Sequence, residues 1–232
     1  EPNATWTDIT DLSTALTPGQ GFGFWGLAFK GDYTFTGTPN TGEQNTAITI
    51  SGTGGTYNKS NLLGNPYPSS IDWNLVSGYG ANYIYNGTAY VAYPETGSFG
   101  TGYRYIPPTQ GFFIVAESAG NFTLTNACRT NTGANTFYKS QGEKSISNGM
   151  VLQASNGSYN DELCIVLDET SQENFEMQRD AYKFLSGTEG LSQIYSYAGE
   201  DMLCIDVRPA CNTIPLGFKN DQSGIYSIRL KE

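Results

Sequence analysis

The chain alternates short apolar runs with clusters of turn-forming residues. Runs rich in Thr, Tyr, Phe, Ile and Val lie between groups of Gly, Asn, Pro and Ser, a pattern typical of β-strands joined by hairpin-length turns. In the run from Met202 to Val207 apolar and polar positions alternate, so Asp206 is expected on a solvated face. The pattern predicts an all-β chain of antiparallel sheets, with strands at residues 21–29, 33–36, 47–51, 82–85, 89–93, 111–117, 121–125, 150–154, 162–167, 193–198, 202–207, 214–218 and 225–230.

Two segments interrupt this pattern. Residues 169–185 keep no single apolar period, and we interpret them as a long crossover with room for one helical turn. Residues 135–145 have low apolarity, and we interpret them as an interdomain linker. The sequence therefore predicts two antiparallel β-sandwich domains of jelly-roll or immunoglobulin-like type, the first at residues 1–134 and a smaller one at residues 146–232.

The first predicted domain contains an internal repeat with an offset of ~90 residues. Pro fixes the entry to a strand in each copy, and a Gln-Gly step lets the backbone bend as it joins the sheet. We expect structural roles for Gln20, Gln110 and Gly111, and equivalent inward positions for Phe22 and Phe112. Two unrelated hairpins with similar turns are the alternative. The matched blocks are residues 16–22 with 106–112, 31–36 with 120–125, and 40–42 with 131–133.

Composition and charge narrow the classes of function. The chain contains no His, which excludes Ser-His and Cys-His catalysis and His-ligated metal sites within it. The net charge of −10 repels a phosphate backbone, so nucleic acid is not an expected partner. No run reaches the ~18 apolar residues that span a bilayer, so membrane insertion is not expected either.

The four cysteines form no Cys-x-x-Cys pair, which argues against zinc ribbons and thioredoxin-like chemistry. Cys204 and Cys211 lie on either side of Arg-Pro-Ala, where a turn could bring them together, and they are disulfide candidates. Separate structural thiols are the alternative. Cys164 lies in an apolar run, so burial is expected for it.

A segment with two Pro and a terminal Trp carries the most specific pattern in the chain. Residues 63–73 read Leu-Gly-Asn-Pro-Tyr-Pro-Ser-Ser-Ile-Asp-Trp, and the block Ile-Pro-Pro-Thr-Gln-Gly-Phe-Phe follows at residues 106–113. Together they resemble the GNPYPS-IDW and IPP-QGFF signatures of large secreted and cell-surface proteins of Bacteroidota, typically found upstream of a type IX secretion sorting domain. The cysteines depart from that pattern.

The resemblance implies export and an extracellular or cell-surface location, but it implies no catalytic residue set. We interpret the signature segment as structural, because Pro cannot donate ladder hydrogen bonds while Tyr67, Ile71 and Trp73 can reach into a core. The residues given structural roles in this segment are Asn65, Pro66, Pro68, Asp72 and Trp73.

Carboxylates are the remaining acid-base groups. A glycosidase needs two facing carboxylates about 5 to 9.5 Å apart, and sequence does not supply that distance. We interpret Asp72 as a turn or cap acceptor, Asp161 and Glu162 as solvated charges at a strand end, and Asp180 and Lys183 as residues that hold the crossover to the sheet. No cofactor or metal is assigned. Calcium stays open, although no Asp-x-Asp-x-Asp-Gly loop is present.

Tyrosine is abundant, with 16 residues in the chain. A Tyr-rich acidic surface can stack on sugars or contact proteins, and the alternative is that these side chains fill the core and its rim. The ligand-binding candidates are Tyr83, Tyr85, Tyr90, Tyr93 and Tyr103.

The leading hypothesis is a non-catalytic extracellular module of a larger exported bacterial protein, serving adhesion, carbohydrate binding or structural support. Its partners would be extracellular glycans or proteins. The alternatives are a carboxylate-dependent enzyme acting on polysaccharide and a self-assembling surface or filament subunit. The sequence leaves the ligand and the oligomeric state open.

Overall fold

The structure, a computed structural model, describes residues 8–11, 13–23, 36–51, 56–97, 99–100, 102–131 and 148–231. Over these residues the chain is all-β, with 3-10 helices at Thr56–Lys59, Trp73–Leu75 and Asn126–Cys128 and no α-helix. The strands are β1 (Gln44–Ile48), β2 (Ser60–Gly64), β3 (Ser70–Asp72), β4 (Asn82–Tyr85), β5 (Tyr90–Tyr93), β6 (Tyr105–Ile106), β7 (Gly111–Val115), β8 (Gly120–Leu124), β9 (Arg129–Thr130), β10 (Gly149–Ser155), β11 (Asn160–Leu167), β12 (Ala181–Tyr182), β13 (Gln193–Ala198), β14 (Asp201–Arg208), β15 (Leu216–Lys219) and β16 (Ser227–Lys231).

The chain divides into two compact units. The sequence placed residues 76–104 in the first domain, whereas they group with the second unit in the structure. The predicted linker at residues 135–145 lies outside the described residues, as do most of the predicted strands at 21–29 and 33–36. Unit 1 comprises Glu1–Leu75 and Tyr105–Thr136, and unit 2 comprises Val76–Arg104 and Phe137–Glu232.

Antiparallel strand pairs build the described part of unit 1. β2 pairs with β7, β1 pairs with β8, and β3 lies between β6 and β9. Aromatic side chains from these elements meet at Trp73, whose ring centroid lies 5.5 Å from that of Phe112 and 6.3 Å from that of Phe122. The core of unit 1 is therefore centred on the end of the signature segment.

Unit 2 contains a seven-stranded sheet and the β4–β5 hairpin. The strand order in the sheet is β15-β13-β14-β11-β10-β16, and β12 also pairs with β14. Ala154, Leu163, Ile165 and Ile194 form a buried cluster against which Met150, Leu152, Leu167 and Ile214 pack. This apolar cluster positions the charged groups described below.

The prediction of purely antiparallel sheets is wrong for one pair, because β11 and β14 are parallel, with Cys164 opposite Ile205. The solvated position predicted for Asp206 is also wrong. Asp206 is buried, and its carboxylate accepts hydrogen bonds from the Arg208 guanidinium at 2.8 and 2.6 Å. A strand paired in parallel is commonly buried on both faces, and a charge on it is then tolerated only with a partner.

The predicted crossover also differs in detail. Residues 168–180 contain turns and bends, including a single turn in which Asp180 N–H donates to the Glu176 carbonyl at 2.8 Å, and the segment ends in the short strand β12. Asp180 precedes that strand and Lys183 follows it. The sequence showed no strand here because two residues are too few for a periodic pattern.

The Gln-Gly steps of the two repeat copies have matching turns. Gln20 N–H donates to the Thr17 carbonyl at 3.1 Å, and Gln110 N–H donates to the Pro107 carbonyl at 3.2 Å. The residues before them, Gly19 and Thr109, both have positive φ, 81° and 63°.

The next position differs between the copies. Phe112 is fully buried, whereas Phe22 is 39% exposed, so the expectation of equivalent inward positions for these two rings is wrong. Phe112 lies within β7 and packs on Trp73, while Phe22 follows a single bridge between Gln20 and Leu63.

Candidate functional site

The signature segment of unit 1 is organised by the Asn65 side chain. Its Nδ2 donates to the carbonyls of Ser69 and Ile106, both at 2.9 Å, and of Pro107 at 3.0 Å, while its Oδ1 accepts from Tyr67 N–H at 2.9 Å. Asn65 N–H donates to the Gln110 carbonyl at 3.0 Å, so the two signature blocks are joined directly. Asn65 is buried, and this side chain acts as a structural clamp.

The other predicted structural residues occupy different environments. Trp73 is fully buried, and Asp72 is buried with its Oδ1 accepting from Asn74 N–H at 3.2 Å, which matches its interpretation as a turn acceptor. Pro66 is half-buried and Pro68 is exposed.

Around the Gln-Gly steps the exposure also varies. Gln20 is exposed, while Gln110 and Gly111 are half-buried. Gly21 lies so close to β2 that a Cβ there would come within 2.6 Å of the Leu63 carbonyl oxygen, which explains the glycine of the first copy.

The five tyrosine candidates of unit 2 separate into buried and accessible side chains. Tyr83 and Tyr93 are each 2% exposed, so neither can face a ligand, and Tyr103 is half-buried. Tyr83 stacks on Phe184 at 4.4 Å between centroids, and its hydroxyl oxygen accepts from Tyr182 N–H at 2.9 Å. Burial raises its pKa well above the usual value.

Tyr85 and Tyr90 form an accessible pair. They lie opposite each other on β4 and β5, with ring centroids 5.2 Å apart and ring planes inclined by 51°. Tyr85 is 40% exposed, and its hydroxyl lies 3.1 Å from Thr188 Oγ1. We call Tyr85, Tyr90 and Thr188 the tyrosine patch.

A buried ion pair lies in unit 2 where the sequence suggested solvated charge. Lys183 Nζ donates to both Asp161 oxygens at 2.5 Å, and the Asp161 and Lys183 side chains are 5% and 1% exposed. The interpretation of Asp161 as a solvated strand-end charge is therefore wrong, and its side chain shares a face of β11 with Leu163 and Ile165. The two-residue spacing of Asp161 from Leu163 and Ile165 was the sequence signal that could have predicted its burial. Lys183 ties the end of the crossover to the sheet, as expected.

Asp180 holds the other end of β12. Its Oδ1 accepts from Val207 N–H and its Oδ2 from Glu176 N–H, both at 2.7 Å. Burial raises the pKa of Asp180 from 3.8 to about 7, although the two N–H donors oppose the shift. Because both oxygens bind backbone and the residue is 2% exposed, this carboxyl has a structural role despite its high pKa.

Of the two alternatives for Cys204 and Cys211, the structure has separate thiols and not a disulfide, since all four cysteines are free. Cys204 lies inside β14 and is buried, with Sγ donating to the Tyr182 carbonyl at 3.2 Å, whereas Cys211 is exposed beyond the strand end. The strand continues four residues past Cys204 to Arg208, so Cys204 is held within the sheet while Cys211 lies in the segment that follows it. Burial raises the pKa of Cys164 and of Cys204 to about 12.

Within the described ranges no group of three or more Cys, Asp or Glu side chains is placed to hold a metal ion, so the calcium alternative has no supporting cluster there. Among the same residues, no helix has the length and apolar character needed to cross a membrane.

Residues 76–232, about two thirds of the chain, match the model of a family described as Domain of unknown function (DUF8693). The chain belongs to the DUF8693 family. The DUF8693 match begins at Val76, the residue at which unit 2 begins, so it covers the tyrosine patch and the buried ion pair but not the signature segment at residues 63–73. Searches of curated proteins and of solved structures found no match.

Proposed function

We propose that this chain is a non-catalytic module of a larger exported bacterial protein and that it acts at the cell surface or outside the cell. The supporting observation is that the distinctive residues serve the fold. Asn65 and Trp73 build the core of unit 1, and Asp161, Asp180 and Lys183 are buried in structural contacts in unit 2. The signature resemblance supplies the expectation of type IX export.

The tyrosine patch is the proposed contact surface, with an extracellular glycan as its ligand. Aromatic faces stack on the apolar faces of sugar rings, and nearby hydroxyls can bond to sugar hydroxyls. Tyr85 and Tyr90 present two inclined rings, and the hydroxyl groups of Tyr85 and Thr188 lie beside each other. The net charge of −10 favours neutral sugars over acidic ones.

A glycan array with the full chain tests this proposal. We expect binding by the wild type and at least about a tenfold loss in Tyr85→Ala, which corresponds to about 1.4 kcal/mol. Tyr159→Ala is the matched control, since Tyr159 is a similarly exposed tyrosine of unit 2, at 37%. Binding that survives in Tyr85→Ala would refute the patch, and an array without any signal would leave structural support as the role of the module.

Location is tested separately. Antibodies raised against the chain should label intact cells of the source bacterium as strongly as permeabilised cells. Labelling that requires permeabilisation would contradict the proposed surface location, whatever the glycan array shows.

Two features of the architecture are also proposals, namely the sandwich arrangement of the sheets and the internal repeat. We propose that both units are β-sandwiches and that the Gln-Gly copies are related halves of an internal repeat. The matching turns at residues 17–20 and 107–110, and their placement against β2, support the repeat. A crystal structure tests it, because related copies should continue into equivalent hairpins.

Self-assembly is the second candidate function. Its support is the apolar exposure of β15 and β16, the two edge strands of the seven-stranded sheet. Leu216 and Phe218 are 45% and 37% exposed, and Ile228 and Leu230 are 53% and 61% exposed. Exposed apolar edges favour strand addition. Sedimentation velocity over a concentration series should then show higher oligomers, and a single monomeric species at all concentrations would refute this candidate.

A further inference from the structure

The buried ion pair has the geometry of two groups placed to react. Lys183 Nζ lies 2.5 Å from each Asp161 oxygen, shorter than the ~2.7 to 2.9 Å of ordinary ammonium-carboxylate bonds. Because the carboxyl carbon lies between its two oxygens, Nζ is within about 3 Å of Cγ, the distance of a near-attack arrangement. We propose that Lys183 and Asp161 join in an intramolecular isopeptide bond.

The surroundings of the pair favour condensation over solvation. Asp161 lies opposite Ala154 across the β10–β11 pair, and its side chain shares a strand face with Leu163 and Ile165. Ala154, Leu163 and Ile165 belong to the apolar cluster and are at most 1% exposed. Desolvation makes a charged pair costly here, whereas a neutral amide is tolerated and water is excluded from the site of reaction.

A backbone donor is in place for the reaction. Ile194 N–H donates to Asp161 Oδ2 at 2.7 Å, so it can stabilise negative charge that develops on that oxygen when the carboxyl carbon is attacked. Oδ2 then becomes the amide carbonyl oxygen and keeps this hydrogen bond. Oδ1, which accepts from Lys183 Nζ at 2.5 Å, is the oxygen that leaves.

The reaction balances within the pair. A proton passes from the Lys183 ammonium to the Asp161 carboxylate, which produces a neutral amine and a carboxylic acid. The amine lone pair forms the Nζ–Cγ bond, and the Cγ–Oδ1 bond breaks as Oδ1 takes a second proton from Nζ. The products are one amide N–H and one water molecule, with no oxidant, reductant or further reactant.

The bond would cross-link the sheet of unit 2, whose cysteines are free thiols and form no disulfide. Asp161 lies near the start of β11, and Lys183 follows β12, which pairs with β14. The link would close the chain over the intervening crossover and restrict its unfolded state as a disulfide does. This inference stands independently of the glycan ligand.

Intact mass spectrometry of the full chain under reducing conditions tests the bond. We expect the wild type to be lighter than its sequence mass by one water molecule, and Lys183→Arg, which keeps a cation beside Asp161, to have its full sequence mass. Lys231→Arg is the matched control, because Lys231 pairs with Glu162 at 3.0 Å but is 33% exposed, and this variant should still lack one water.

Tryptic mapping locates the loss. In the linked protein trypsin cannot cleave after Lys183, so the tetrapeptide 180–183 should be missing and residues 145–179 should appear joined to a peptide that begins at residue 180. A full wild-type mass, release of the tetrapeptide, or a water loss that maps elsewhere would each overturn the proposal. If Lys183→Arg does not fold, the wild-type mass and map still decide the question.

Discussion

Replacing Trp73 by Ala should destabilise unit 1 severely. The side chain is fully buried, and its ring lies edge-on to Phe112 and stacked on Phe122, at 5.5 and 6.3 Å between centroids. Truncating a buried Trp costs about 3 to 5 kcal/mol, against about 5 to 15 kcal/mol that stabilises a whole domain. For a unit of this size we expect the melting temperature to fall by at least about 12 °C.

The matched control lies in the same 3-10 helix. Leu75 is 58% exposed, so Leu75→Ala should change stability by no more than about 0.5 kcal/mol. Thermal unfolding followed by circular dichroism gives the midpoints, and hydrogen exchange of peptides from each unit shows whether the loss is confined to unit 1. If Trp73→Ala and Leu75→Ala had the same melting temperature, the argument that Trp73 anchors the core would be refuted.

Three further predictions concern a buried carboxyl group, a packed glycine and the cysteines. Burial raises the pKa of Asp180 to about 7, so the folded state holds a proton that the unfolded state releases above 3.8. Relative to Asp180→Asn, the wild type should therefore lose unfolding free energy between pH 5 and pH 7.5 in urea titrations. Gly102→Ala should cost about 1 to 3 kcal/mol, because the new methyl overlaps the backbone of Ala92, whereas Gly187→Ala meets nothing within 4 Å and serves as its control. Native protein should react with a thiol reagent rapidly at Cys211 alone and at all four cysteines after unfolding.

Each of these has a clear contrary result. An equal pH slope in wild type and Asp180→Asn would show that this carboxyl does not carry the raised pKa. Equal melting of the two glycine variants would show that Gly102 has room for a side chain. A native chain with no rapidly reacting thiol, and only two thiols after unfolding without reductant, would indicate a bond at Cys211.

Much of the strand content could be read from local pattern. The bounds of β4 and β13 agree with the predicted residues 82–85 and 193–198, because aromatic and β-branched residues bounded by turn residues specify an extended backbone locally. The burial of Trp73 also followed from its place at the end of a Pro-rich segment. The exclusion of His-dependent chemistry needed only the composition.

Tertiary structure decided which polar residues are buried. Asp161 shares a two-residue spacing with the apolar Leu163 and Ile165, but Lys183 is 22 positions away and nothing local identifies it as the partner of that carboxylate. Tyr83 and Tyr85 lie on one strand two residues apart, yet Tyr83 is buried and Tyr85 is exposed. The two-residue period of a strand therefore could not show which tyrosines are accessible to a ligand.

The sequence by itself determined an all-β, acidic, His-free chain and located most strands of unit 2, whereas it did not predict β2 or β3 in unit 1. Only the tertiary structure decided the parallel pairing of β11 with β14, the grouping of residues 76–104 with unit 2, and the contact between Lys183 and Asp161. The physical reason is the separation along the chain over which each effect acts. Strand propensity acts between neighbours in the chain, whereas pairing partners and the burial of a charge depend on which distant segments fold against it.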